Sequence, residues 1–144
     1  MLERLPEDSL TWKPHERSKS IGELGAHLAD VVGSQVVVIT EDEMDAAAAP
    51  FARANPDSKE EILHAFDANA AKLRSALEAV DESALTRDWT FRFGDNIIFT
   101  SPKLVAFRTF GISHIAHHRG QLTVYLRLLD LPVPSVYGPT ADEG

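Results

Sequence analysis

Two of the six histidines in the sequence, His114 and His118, have the spacing of metal ligands on a helix. Residues four apart on an α-helix lie one turn apart on the same side, so both imidazoles can direct a nitrogen at one ion. Their face of the predicted helix is otherwise largely apolar and should look into the protein, where an unpaired polar ring is costly. A shared divalent metal would satisfy both rings, and hydrogen bonds to Gln121, Tyr125 or a backbone group are the alternative. The spacing alone leaves both interpretations open.

His27 is the candidate for a third ligand. It lies close to Leu24, Leu28 and Val31, in or beside the apolar stripe of another predicted helix. A single histidine in such a stripe is usually a hydrogen-bonded core residue. If that helix packs against the helix of the histidine pair, however, three neutral nitrogens and one open position result. This arrangement is typical of a catalytic divalent site.

The remaining histidines are weaker candidates. His117 competes with His118, because a pair at positions 114 and 117 is also possible on a helix. The side chains of His117 and His118 diverge by about 100°, so they cannot face one ion equally well. We expect His117 beside the site or at an interface, and His15 and His64 in solvent.

Other catalytic motifs are absent from the sequence. It contains no HExxH, GxSxG, Walker or GxGxxG pattern. A general base for this site would be a metal-bound hydroxide or a carboxylate near His27, such as Glu23 or Asp30. A helix cap and a solvated surface acid are the simpler roles for those two carboxylates. Gln121 is a candidate to orient a ligand histidine.

The composition places these residues in one small domain. The chain has 144 residues, 44% of them hydrophobic and 25% charged, which suits a single globular core. Its 22 acidic and 14 basic residues give a formal net charge of −8, which repels phosphate backbones and anionic lipids. We therefore expect no nucleic-acid or membrane partner. The sequence has no cysteine, no apolar run long enough for a membrane span and no signal-peptide pattern, so a cytoplasmic location is expected.

Three amphipathic helices are predicted to position the histidines. Ser20 and Glu23 form a capping-box pattern that begins a helix running to about residue 41. Ser58 and Glu61 repeat the pattern and begin a second helix, to about residue 80. Pro102 stands in the first turn of the last helix, which runs to about residue 129.

The segments between the helices are less regular. Residues 1–19 are predicted to be irregular, and residues 41–56 to form a connection with a helical turn. Residues 89–99 alternate apolar and polar side chains around turn residues, which fits a short β-hairpin or an extended loop. Three long helices with one short β element indicate a helix bundle, in a single domain spanning residues 1–144.

Two segments of the sequence carry a family resemblance. Residues 20–30 (SIGELGAHLAD) and residues 114–127 (HIAHHRGQLTVYLR), followed by PVPSVYGP at 132–139, resemble the DinB-like (YfiT-type) metalloenzyme superfamily. The similarity extends over nearly the whole chain, from Leu2 to Glu143. It implies an up-down-down-up four-helix bundle. Because the chain opens at what resembles the end of the family's first helix, we expect an all-α four-helix bundle with its first helix truncated.

The resemblance also implies a metal site and an activity. In the family a divalent ion, nickel or zinc, is held by one histidine of the second helix and two of the fourth, which correspond to His27, His114 and His118. Members are commonly dimeric, and characterised relatives include transferases and isomerases that use bacillithiol, mycothiol or glutathione. The resemblance therefore implies a homodimeric, metal-dependent thiol S-transferase acting on a small molecule. A non-catalytic, stress-associated metal-binding dimer and a metal-dependent hydrolase are the alternatives.

Overall fold

The protein is built on three long helical segments. In the computed structural model, which describes residues 1–48 and 56–143, α1 spans Ile21–Thr40 and α2 spans Lys59–Ala79. The last segment is continuous and has three parts, which are α3 (Lys103–Ala106), a π-helical turn (Phe107–Ser113) and α4 (His114–Leu128). α1 packs against both α2 and the last segment, so it is the central helix.

Serine caps begin the first two helices, as the sequence predicts. The Ser20 hydroxyl accepts a hydrogen bond from the Glu23 N–H, and the Glu23 carboxylate accepts one from the Ser20 N–H, which completes the capping box of α1. In α2 the Ser58 hydroxyl accepts from the Glu61 N–H in the same way. The Glu61 carboxylate, however, accepts from the N–H of Asp57. Only half of the predicted box is therefore present at α2.

A three-stranded mixed sheet lies between the helices in the chain. Strand β1 (Glu43–Asp45) runs parallel to β2 (Asp88–Phe93), and β2 pairs antiparallel with β3 (Asn96–Pro102), so β2 is central. Gly94, with φ of +56°, forms the β2–β3 turn, where a left-handed residue favours glycine. The segment at 89–99 is therefore a hairpin, to which β1 adds a strand that the sequence did not predict.

Acidic side chains attach β1 to the hairpin. The Arg92 guanidinium donates hydrogen bonds to Asp45 at 2.7 Å and to Glu43 at 2.8 Å. A second oxygen of Asp45 accepts from the Gly94 N–H at 2.9 Å. These contacts join residues nearly fifty positions apart, so no local pattern in the sequence announces the strand.

The connection predicted for residues 41–56 is described only in part. Its first half contains β1 and a turn at residues 46–48, in which the Ala48 N–H donates to the Asp45 carbonyl. Residues 49–55 lie outside the described residues, and the helical turn predicted for this connection is not tested there.

The prediction of an all-α four-helix bundle with a truncated first helix is wrong. The structure has three long helical segments and the mixed sheet, although it remains mainly helical. In place of a first helix, the chain forms two short 3-10 turns, Leu2–Arg4 and Glu7–Ser9. Pro6 between them cannot continue a helix, and the segment inserts apolar side chains into the core without one.

The core is divided into two clusters of very different size. The larger lies where α1, α2, α4 and the N-terminal turns meet, and its fully buried members include Leu5, Ile21, Leu24, Ile62, Leu122 and Leu126. The smaller lies where the sheet packs on α1 and α3, around Val38, Trp89 and Ala106. The candidate site lies along α1 between the two.

Candidate metal centre

Helices α1 and α4 bring three histidines to one point. His27 lies in the second turn of α1, and His114 and His118 lie one turn apart at the start of α4. The Nε2 atom of His114 is 2.7 Å from Nε2 of His118 and 3.4 Å from Nε2 of His27. The potential ligand atoms of the three residues all lie within 4.8 Å of one another. The three histidines singled out in the sequence therefore converge.

The outer nitrogens of the two α4 histidines face hydrogen-bond acceptors. Nδ1 of His118 lies 2.6 Å from Oε1 of Gln121, and because an amide oxygen only accepts, Nδ1 carries the proton. His114 is hydrogen-bonded to the backbone carbonyl of Phe110, and its Nε2 points at the other rings, so Nδ1 is again the donor. Both Nε2 atoms therefore present a lone pair to the centre, which is the tautomer that a metal ligand needs.

Burial keeps the three imidazoles neutral. Desolvation, together with the neighbouring His118 and His114, lowers the pKa of His27 from 6.5 to about 4. Desolvation also lowers the pKa of His114 and of His118, although the hydrogen bonds that they donate to Phe110 and Gln121 oppose the shift. The rings are thus in the form that binds divalent metals near neutral pH.

The arrangement of the three nitrogens fits a divalent ion. The lone pairs of His114 and His118, which face each other at 2.7 Å, repel unless a proton or a cation lies between them. Zinc–nitrogen bonds are about 2.0–2.1 Å long, so two nitrogens on a tetrahedral ion lie about 3.3 Å apart. The His27–His114 separation matches this spacing, and a small rotation of His118 would bring the other pair to it.

No fourth protein ligand joins the triad within the described residues. The one cluster found there that could hold a metal contains these three histidines and no carboxylate. Three nitrogen ligands leave a coordination position for water or a substrate, whereas structural sites close all four.

Gln35 supports this centre, a role that the sequence did not predict. Its side chain is 1% exposed, and Nε2 donates at 3.2 Å to the same Phe110 carbonyl that holds His114. Phe110 belongs to the π-helical turn, where the α-helical hydrogen-bond pattern is interrupted. A Cβ atom at Gly111 would lie 2.7 Å from Oε1 of Gln35, so glycine permits the approach. A glutamine inside the apolar stripe of α1 was the available signal.

The other histidines lie where the sequence predicts. His117 is exposed beside the triad, with its ring centroid 4.8 Å from that of His118. His15 and His64 are also exposed, and the His15 ring accepts a hydrogen bond from the Arg17 N–H. None of these three belongs to the cluster.

The two carboxylates considered as general bases have separate positions. Glu23 caps α1, and that hydrogen bond from the Ser20 backbone lowers the pKa of its carboxyl. Asp30 is half-buried and lines a cavity that also reaches His27. Asp30 was expected on the surface as a solvated acid, whereas it lies in the wall of this cavity.

A cavity of about 650 Å³ opens beside the triad. It runs along α1 from His27 to Val38, and His114 closes it on the side of α4. Its remaining wall is formed largely by apolar side chains of the sheet and the π-helical turn, among them Met44, Trp89, Phe91 and Phe110. A cavity of this size next to candidate ligands has the dimensions of a small-molecule site.

Solved structures of similar fold carry the same family designation. A DinB-like protein from Bacillus cereus ATCC 10987 is 25% identical, with a TM-score of 0.69 over 95% of this chain and 86% of that one. The DinB-like protein YjoA from Bacillus subtilis is 23% identical, with a TM-score of 0.70 and the same coverage. The second likeness concerns the fold alone.

A short match to a curated protein is also present. The uncharacterized protein YrdA of Bacillus subtilis (strain 168) is 53% identical over 34 residues, which are 24% of this chain and 20% of YrdA. The match thus covers about a fifth of that protein's length.

Across the described residues, no helix combines the length and hydrophobicity needed to cross a bilayer.

The family itself follows from a match that spans most of the chain. The model of the DinB superfamily matches residues 1–122, which include all three converging histidines. With the mainly helical fold and the histidine cluster, this match establishes that the chain belongs to the DinB superfamily.

Proposed function

We propose that this protein is a metal-dependent thiol S-transferase. His27, His114 and His118 hold one divalent ion, nickel or zinc, and a low-molecular-weight thiol is one of two small-molecule substrates. The observation that carries the proposal is the convergence of three Nε2 atoms on one point, while hydrogen bonds occupy the opposite nitrogens of His114 and His118. Core histidines that needed only a hydrogen bond would not bring three ring nitrogens together at one point.

The open position favours catalysis over a structural role. Because no fourth ligand lies in the cluster of the described residues, a substrate sulfur can approach the centre. The cavity beside His27 and His114 provides space for a second molecule. A non-catalytic metal-binding dimer would need neither feature.

Separate groups of residues hold the ion and orient its ligands. A divalent ion at this site would lower the pKa of a thiol and favour its thiolate, the nucleophilic form. Gln121 and the Phe110 carbonyl fix the orientation of His118 and His114. In the transfer, the thiol proton is released to solvent and the sulfur forms a bond to an electrophilic carbon of the acceptor. The leaving group departs with the electron pair of the broken bond.

Thiol-transfer assays test this proposal. Protein loaded with nickel or zinc is mixed with bacillithiol, mycothiol or glutathione and 1-chloro-2,4-dinitrobenzene, and chloride release is followed. We expect one thiol to support turnover in the wild type and in His117→Ala, the matched control on the exposed side of α4. His118→Ala should fall to the uncatalysed rate.

Two other results would contradict the proposal. Equal rates for wild type and His118→Ala with all three thiols would remove the transferase assignment. Ester hydrolysis that depends on His118 without any thiol would indicate the hydrolase, in which the ion activates water.

The homodimer implied by the family resemblance also remains a proposal. Sedimentation velocity of the metal-loaded protein measures it directly. We expect the mass of two chains, and a compact monomer across the accessible concentrations would exclude the dimer.

A further inference from the structure

We propose that the cavity along α1 binds an uncharged, apolar group of the acceptor substrate, and that the thiol approaches the metal centre from outside it. This inference deepens the proposed function and rests on it, because it assigns the cavity to one of the two substrates of that reaction.

One end of the cavity adjoins the metal centre. His27 and His114 belong both to the metal centre and to the cavity wall. A molecule held in the cavity therefore has one end at the place where the reaction occurs. The cavity extends from there along α1 to Val38, which is about 16 Å at 1.5 Å per residue.

The wall of the cavity is largely apolar. Valine side chains of α1 form one side, and Met44, Trp89, Phe91 and Phe110 form much of the other. Trp89 and Phe91 stack with their ring centroids 6.1 Å apart, which presents a continuous aromatic surface. Such a wall gains free energy from removing apolar surface from water, so it favours hydrocarbon and aromatic groups.

The charged side chains of the wall have opposite signs. Apart from the metal centre at its end, the charged members of the wall among the described residues are Asp30 and Lys72, whose opposite signs leave the wall no net charge with which to attract an ion. The amide N–H groups of Asn69 and Gln35 already donate to the carbonyls of Ala29 and Phe110.

The same chemistry excludes the thiol from the cavity. Low-molecular-weight thiols carry charged or hydroxyl-rich bodies, and burying such groups against an apolar wall without partners is costly. The acceptor is thus the better occupant.

A fluorescence titration tests the assignment without any turnover. The chain has two tryptophans, so Trp12→Phe leaves Trp89, in the cavity wall, as the sole reporter. In this background the titration uses the metal-free protein, so that a carboxylate cannot ligate an ion. The probe is 4-nitrotoluene, an uncharged aromatic quencher, and its matched control is 4-nitrobenzoate, which has the same ring and a negative charge. We expect saturable quenching by 4-nitrotoluene and affinity at least about tenfold lower for 4-nitrobenzoate, because the wall would have to desolvate the charge.

Filling the cavity locates the binding site. Val37→Phe and Ala46→Phe each enlarge a wall residue and should weaken 4-nitrotoluene binding about tenfold or more, since the space is lost. Val124→Phe makes the same enlargement at an exposed position of α4 and should leave binding unchanged. A urea titration of each variant verifies that it is folded, and two filling variants guard against the failure of one.

Two outcomes overturn the inference, and they differ from failure of the proposed function. Equal affinity for the two nitro compounds would show that the site does not select an uncharged group, and full 4-nitrotoluene binding in both folded filling variants would show that the cavity is not the site. Metal binding with normal thiol transfer could accompany either result. Conversely, 4-nitrotoluene binding in a protein that takes up no nickel or zinc would support the cavity and refute the transferase.

Discussion

The two halves of α1 differ sharply in how they are packed. The first half buries Ile21, Leu24 and Leu28 in the large cluster, where they are at most 4% exposed. The second half turns Val36 and Val37 toward a cavity of about 650 Å³. One helix thus supplies both the dense core and the wall of an open site. Residues that stabilise the fold and residues that line the site therefore occupy different parts of the same helix, and His27 lies near the boundary between them.

Truncating the dense end should produce the largest loss of stability. Leu24, in the first half of α1, is 1% exposed in the large cluster, so Leu24→Ala leaves a cavity and should cost about 2–5 kcal/mol in the free energy of unfolding. Its counterpart Val37→Ala, in the wall of the existing cavity, should cost less than about 1 kcal/mol. Urea unfolding of both variants in the metal-free state measures the contrast. Equal costs at the two positions would mean that the two halves of α1 are packed alike.

Removing an orienting hydrogen bond should weaken the site and spare the core. Gln121→Met deletes the acceptor at Nδ1 of His118 and keeps the side-chain volume, so metal affinity should fall about 10–100-fold. Because Gln121 is only half-buried, the free energy of unfolding should change little. Calorimetric titration with zinc measures the affinity. A variant that binds zinc as tightly as the wild type would show that Gln121 does not orient the ligand.

Lowering the pH should destabilise the metal-free protein through the protonation of His27. Burial holds the pKa of His27 at about 4, below its ordinary 6.5, so the unfolded chain binds protons that the folded protein does not. This contribution to stability is present above pH 6.5 and is lost as the pH falls toward 4. Urea unfolding between pH 7.5 and 4.5 should show a decline that is shallower in His27→Gln. A wild type and a variant with parallel profiles would contradict the assignment.

A smaller effect is expected one contact farther from the metal. Gln35→Met removes the donor to the Phe110 carbonyl but leaves the hydrogen bond of that carbonyl to His114, so zinc affinity should fall only about threefold to tenfold. Gly111→Ala should have the same direction, because its Cβ would displace the Gln35 carboxamide. Calorimetry again measures both. Unchanged affinity in both variants would confine the support of the centre to Gln121 and Phe110.

Local features of this molecule could be predicted from the sequence. The caps at Ser20 and Ser58 depend on side chains three residues from the atoms that they bind, and the structure has both. His114 and His118 share a face because helical spacing places them there. The approach of His27 depends on which helices pack together, and it followed from the family resemblance rather than from spacing.

Features that depend on distant contacts could not be predicted. Strand β1 is held to β2 by Arg92 and Gly94, which bind its acidic side chains, and three residues, two of them acidic, are too few to show a strand pattern. The π-helical turn places Gly111 against Gln35, which is remote in sequence. The wrong four-helix prediction has a similar cause, since apolar side chains of the N-terminal 3-10 turns reach the core without forming a helix.

The central claim is that His27, His114 and His118 form a metal centre, and metal content tests it most directly. Tag-free wild type, purified without chelator and supplied with nickel and zinc, is compared by mass spectrometry with His118→Ala and with His117→Ala as the neighbouring control. We predict about one ion per chain in the wild type and in His117→Ala, and loss of that ion in His118→Ala. No ion in the wild type, or an ion retained in His118→Ala, would contradict the account.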